Sequence, residues 1–324
     1  MLNQKKLELA YRRYSKNFVD GIKFEDVEED YVDSQNEITS IVDLNSVEKD
    51  HILLIDLDSI SSYYLSKWKE DVLINGENNT EDLKKIMIVV FYQCMGQDLY
   101  KIRYPKMNVR YSFKDVIATL IHFTMFGWEK EEQILFDFIV EHFGERLMNV
   151  NNWNKHAWFL LELYLQYRNK TIVETQHNLH IAVREQFKEA ELEYGLIPED
   201  LDIYTEVLEN WTTPQLDEIK TLIDKMSVFH SNLASELGES IEFGDYGYGF
   251  YPYEILFLIH VRKKNGLSVP DQFDDLLMNT PEAKMTIGDP ETYPEWDPLL
   301  RLVDNFYRKN YPGYIPNKHG ELFQ

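Results

Sequence analysis

Cysteine is nearly absent from the chain. Cys94 stands alone among 324 residues. No disulfide framework can form within one chain, so the sequence reads as one suited to a reducing compartment, the cytoplasm. Cys94 falls in an apolar run at 86–95, where a single thiol is expected to be a small core residue and not a nucleophile. Glycine and proline are scarce as well, at 14 and 11 residues. A sandwich of many short strands needs far more turn residues, so the scarcity favours long helices. No run reaches the ~18 consecutive apolar residues of a membrane span. The opening MLNQKKLELAYRRYSKNF is charged throughout, with no signal-peptide apolar stretch, and the closing HGELFQ carries no lipidation signal. A membrane partner is therefore not expected. Neither GxGxxG nor GxxxxGK[ST] occurs, so no nucleotide phosphate cradle and no cofactor are expected. The GxSxG elbow of serine hydrolases is missing too.

Positive charge is in short supply. Lys and Arg number 33 against 56 Asp and Glu, a net −23. Such a field repels the phosphates of nucleic acid and attracts basic proteins, whose encounter it speeds. Acidity also serves solubility alone, so its placement decides between the two. Between Asp20 and Asp58 there are thirteen acids against Lys23 and Lys49, a concentrated excess. Val27, Tyr31, Ile38, Ile41, Val42 and Leu44 are interleaved with them, which predicts folded structure and not a bare acidic tail. Asp26, Glu28, Glu29, Asp30 and Asp33 are the first candidates for partner contacts.

What the chain does have is apolar and aromatic material: 44% hydrophobic residues, with 21 Tyr, 18 Phe and 6 Trp. That is ample for a packed core with wide helix–helix seams. The pattern predicts an all-α fold, a helical bundle built of αα-hairpins. A first helix is expected over 2–18, with Leu2, Leu9, Tyr11 and Phe18 among charges. A long one follows over 46–71, capped by Ser46, with Ile52, Leu53, Leu57, Ile60, Tyr64 and Trp68 three and four apart. Thr80 is expected to cap its hairpin partner, through Tyr100. The basic stretch KIRYPKMNVRY, 101–111, reads as a boundary. It divides a smaller N-terminal acidic part, 1–105, from a larger C-terminal helical domain, 106–324, on which the smaller part packs. The second part opens with the clearest hairpin, Ser112 capping 113–126 and Gly127 ending it. Further helices are expected over 154–168, 174–194 and 214–237, a short one after Pro198, then 253–264 and 299–309. Between them, GDYGYGFYP (244–252) is a glycine-hinged aromatic loop.

Three strings invite a chemical reading. Ile52 to Ile60 (ILLIDLDSI) resembles the first motif of haloacid-dehalogenase phosphatases, a strand ending in Asp56-x-Asp58. There the first Asp is nucleophile, the second a general acid, and Mg²⁺ is shared. That fold needs alternating strands and helices, whereas this segment runs on naturally as a helix. His177 and His180 lie one turn apart, but a zinc site needs further ligands and no HExxH pattern flanks them, so surface histidines are the expected explanation. No metal is expected. The aromatic loop offers Tyr246, Tyr248 and Tyr251, with Glu254 just beyond, as interface anchors. The same four side chains could instead fix the loop to the bundle.

Tyr251-Pro252-Tyr253-Glu254-Ile255-Leu256, then Arg262, Gly266-Leu267, Pro270-Asp271, Leu276-Leu277 and Thr280-Pro281, resemble a pattern in helical proteins encoded beside antibacterial toxins. The layout over 112–281 is similar to the PoNe-immunity-type family. The resemblance implies an all-helical cytosolic immunity protein. It would bind and neutralise a cognate toxin, a nuclease for example, delivered by a type VI or contact-dependent system. No enzyme activity is expected on that reading. A non-catalytic helical scaffold or regulatory protein and a metal-dependent hydrolase remain the alternatives.

Overall fold

The structure, a computed structural model, describes residues 3–17, 24–239 and 241–324. Leu2, Phe18, Asp20 and Lys23 lie outside the described residues. Among the described residues there are twelve α-helices and no β-strand, only two isolated bridges. The all-α expectation holds. The chain divides into two compact units, each discontinuous in sequence. One comprises Met1–Asn17 and Val150–Met285, the other Phe18–Asn149 and Thr286–Gln324. The expected boundary at 101–111 therefore falls inside a unit and not between two.

The unit holding residues 18–149 and 286–324 contains α2 (Phe24–Asp43), α3 (Ile52–Lys69), α4 (Glu81–Tyr100), α5 (Phe113–Phe126), α6 (Glu129–His142) and α12 (Pro298–Asn310). Helix α4 is its axis, buried on almost every side from Leu83 to Met95. It pairs with α3 as the expected hairpin. Gly96 permits the close approach, because a Cβ there would meet Leu54 Cδ2 at 2.6 Å. The capping differs from expectation. Ser46 makes no side-chain cap, and a 3-10 turn, Val47–Lys49, precedes α3. Thr80 makes none either. Asn79 does that work, its Oδ1 accepting from Glu81 N at 3.0 Å and Asp82 N at 3.3 Å. Ser112 and Asp115 form a capping box on α5, and Gly127 closes it with φ 71°.

Helix α2 was not legible as a helix, yet it runs for 20 residues. Ser34, Ile38 and Ile41 are buried, with Val27 and Tyr31 half-buried, so a stripe at three- and four-residue spacing packs on α3 and α12. Asp297 joins these three helices. Its Oδ1 accepts from Leu299 N and Leu300 N, capping α12, and its Oδ2 accepts from the phenols of Tyr31 and Tyr64. Further along, Phe323 sits among the rings of Phe91, Phe123, Trp128, Tyr293 and Trp296.

The other unit contains α1 (Gln4–Lys16), α7 (Lys155–Arg168), α8 (Leu179–Glu189), α9 (Ile203–Asn210), α10 (Leu216–Ala234) and α11 (Tyr253–Lys264). Helix α7 is central and packs against α8, α9 and α11. Helix α8 is shorter than the expected 174–194. Val173, Glu174 and Asn178 take left-handed backbone before it and Glu191 after it, and side chains there do not continue a helix. Helix α1 lies on α10. Tyr14 anchors it, donating to Glu282 Oε1 at 2.9 Å and Gly247 O at 3.2 Å.

Candidate functional site

Helix α2 carries eight acids, Glu25, Asp26, Glu28, Glu29, Asp30, Asp33, Glu37 and Asp43, and no Lys or Arg. All eight are exposed. Among the described residues none of them has an ion-pair partner. The packing stripe explains the arrangement. Once Val27, Tyr31, Ser34, Ile38 and Ile41 face the bundle, a 3.6-residue period turns the acids outward. The five partner-contact residues expected from the sequence, Asp26, Glu28, Glu29, Asp30 and Asp33, thus share one solvated helix surface. Val32, 45% exposed, is an apolar spot among them.

The aromatic loop divides in two. Tyr246 and Tyr248 are half-buried at its surface, with Arg13 Nη2 donating to Tyr246 Oη at 3.4 Å. Tyr251 and Glu254 are fully buried. A partner cannot touch those two without opening the unit, so they fix the loop from within, the second role the sequence left open. The glycines permit the loop's tight turns. A Cβ on Gly249 would meet Asp245 O at 2.3 Å and Phe243 O at 2.7 Å.

Beneath the loop lies a polar cluster that sequence reasoning missed. Glu254 Oε1 is 2.8 Å from His230 Nδ1, and His230 Nε2 donates to Gly249 O at 3.0 Å. Glu242 Oε1 accepts from the His156 backbone N–H at 2.6 Å and lies 2.5 Å from its Nδ1. The Phe243 ring stacks on His230 at 3.6 Å and lies 4.4 Å from His156. Phe243 has φ 58°, a backbone conformation that costs a bulky residue energy and that the two rings hold in place. Carboxylate–histidine pairs are the parts of a general base. Here both are sealed from solvent, and their geometry serves to staple the loop to α7, α10 and α11. His230 and His156 lie at no recognisable spacing from their glutamates, so no sequence signal pointed to the pairing.

The remaining chemical strings disperse. Asp56 and Asp58 lie inside α3, not at the end of a strand. Asp58 pairs with Arg110 at 2.7 Å and accepts from Gln93 Nε2 at 2.5 Å, while Asp56 lies buried toward α2. His177 is exposed and His180 buried, where burial lowers the imidazole pKa to about 4. Among the described residues no three His, Cys, Asp or Glu side chains are grouped to hold a metal ion. No helix there is long and apolar enough to cross a membrane.

Asp56 makes the α2–α3 seam pH-dependent. Burial, with the Glu37 charge beside it, pushes its carboxyl up to about 7, while the Ser34 hydroxyl acts in the opposite sense. The folded chain then binds more protons than the unfolded one between the two pKa values. Stability from this group is whole below about pH 4 and is lost as pH rises through about 7. Asp56→Asn is expected to add about 1–2 kcal/mol at about pH 8, after allowance for solvent screening, and much less at about pH 4.5. Urea unfolding of both proteins at the two pH values checks this. An equal effect at both would contradict it.

No family model, no curated protein and no solved structure matches this chain.

Proposed function

We propose that this chain is a non-catalytic binding protein that docks a basic partner protein on the acidic face of α2. The single observation behind the reading is that helix: eight exposed acids, no cation within it and no ion pair to any of them among the described residues. Eight like charges along one face repel each other and cost stability, a cost that a cationic partner would relieve. Tyr246 and Tyr248, at the surface of their own unit, offer a second contact with the aromatic character of interface hot spots.

The sequence resemblance supplies the partner's class. In that reading the partner is a cognate antibacterial toxin, and the chain is its immunity protein, acting in the cytoplasm. A nuclease carries a cationic cleft for phosphates, and an acidic helix can occlude such a cleft as a charge mimic. The same field disfavours nucleic acid as a ligand of this face.

Co-expression with the product of the neighbouring reading frame tests the proposal. The expected result is a stoichiometric complex, weakened between about 50 mM and about 500 mM salt, together with loss of the neighbour's toxicity. No complex, with a neighbour harmless when expressed alone, would overturn it.

A further inference from the structure

The unit that carries α2 also holds a cleft of the opposite charge. It lies between the start of α3 and the 101–111 segment and has a volume of about 570 Å³. That is within the ~300–1,000 Å³ of clefts that hold small ligands. Ile55 of α3 forms one wall, and Tyr104, Pro105 and Met107 form the other. Ile55 is 45% exposed and Tyr104 36%, so both present apolar surface to water that a ligand would cover.

The polar groups around these walls are of one kind. Residues 101–110 contain Lys101, Arg103, Lys106 and Arg110 and no acid, in a chain whose net charge is −23. Two of the cations facing the cleft are already engaged. Arg103 pairs with buried Asp50, donates to Tyr311 Oη at 3.1 Å, and lies over the Tyr104 ring at 4.7 Å. Arg110 pairs with Asp58 at 2.7 Å. These pairs brace the walls. Lys106 is different: it lines the cleft, is exposed, and has no acidic partner among the described residues. His51 also lines the cleft, its ring 5.6 Å from that of Tyr104.

We propose that this cleft binds an amphipathic organic anion, a flat or short apolar body bearing one acidic group. The apolar body would lie between Ile55 and Tyr104, with the acidic group on the Lys106 ammonium. This site is separate from the α2 face and independent of the partner assigned to it.

The test uses anilinonaphthalene sulfonate, an aromatic body with one negative charge, and its neutral analogue N-phenyl-1-naphthylamine, titrated by fluorescence into the intact chain. One saturable site per chain is expected for the sulfonate. Lys106→Glu is expected to weaken it at least about tenfold while leaving the neutral probe unchanged, because only the charged group meets the ammonium. Tyr104→Ala is expected to weaken both probes. If that variant loses its fold by circular dichroism, Ile55→Glu reads the opposite wall. Inorganic phosphate alone at equal concentration is expected not to compete. An unsaturable signal, a sulfonate affinity indifferent to Lys106→Glu, or full competition by phosphate would each overturn the proposal.

Discussion

Arg262→Ala is expected to cost about 3–5 kcal/mol of folding stability, among the largest effects of any single substitution in the chain. The Arg262 side chain has no solvent exposure. Its guanidinium donates to the carbonyls of Trp211, Thr213 (3.0 Å) and Ser268 (3.2 Å from Nε, 2.7 Å from Nη2). Burial lowers its pKa, but a guanidinium stays charged over any ordinary pH range. Among the described residues no carboxylate pairs with it. Its charge is held by carbonyl dipoles alone, and those carbonyls belong to two separate turns. One links α9 to α10, and the other follows the end of α11. Removing the side chain leaves the buried Trp211 carbonyl unsatisfied, frees the part-buried Thr213 and Ser268 carbonyls, and opens a cavity where the stem lay. Arg262→Lys keeps the charge but not the planar fork, so it is expected to recover only part of the loss. Urea unfolding of the three proteins measures both. A loss below about 1 kcal/mol for Arg262→Ala would show that the turns hold without the clamp.

Asp297→Ala is expected to cost a similar amount, about 3–5 kcal/mol. One carboxylate does two jobs. Oδ1 accepts from Leu299 N at 2.8 Å and Leu300 N at 2.9 Å, so the substitution removes the cap of α12. Oδ2 accepts from Tyr31 Oη at 2.6 Å and Tyr64 Oη at 2.7 Å. Burial and the Asp297 charge raise both phenol pKa values, so both stay neutral donors, and alanine leaves them without their acceptor. Asp297→Asn retains a capping oxygen but turns an amide toward the phenols, and an intermediate loss is expected. Tyr31 lies on α2, so the substitution reaches the proposed partner face through packing and not through charge. Thermal unfolding of the alanine and asparagine variants orders the two effects. Equal losses would show that the phenols contribute and the cap does not.

Local signals in the sequence were reliable where a single turn decides the backbone. Ser112 and Gly127 marked the ends of α5 because N-caps and left-handed glycines act within four residues, and the structure adds Asp115, which completes a capping box with Ser112. Asp297-Pro298 carries the same kind of signal for α12, an N-cap acid followed by proline, and could have been read as such. Two expected caps, Ser46 and Thr80, failed for another reason. A 3-10 turn intervenes before α3, and Asn79 reaches the free N–H groups of α4 before Thr80 can. Helix α2 stayed unreadable because its acids obscure a stripe that includes Ser34, a polar residue at a core position. The division into units was not legible at all. It depends on residues 286–324 returning to α4 and α6, as when Trp128 Nε1 donates to Glu291 O at 3.0 Å. Nor could the sequence sort Tyr246 and Tyr248 from Tyr251. Four aromatic residues in a row of glycines look alike until His230 and Glu254 draw one end of the loop inward. The 101–111 segment read as a domain boundary because it is basic and carries Pro105, and it lines a cleft within one unit.

The measurement that bears most directly on the acidic-face account is the affinity of the neighbouring gene's product for two forms of this chain. One is the native protein. The other carries Asp26→Lys, Glu29→Lys and Asp33→Lys, three exposed positions at spacings of three and four on α2. Both are titrated at low and high salt, with melting temperatures compared first. The account predicts a melting temperature for the lysine form no lower than the native one, since like-charge repulsion is relieved, together with an affinity loss of about 100-fold at low salt and a smaller difference at high salt. Equal affinity of the two forms at low salt would contradict it.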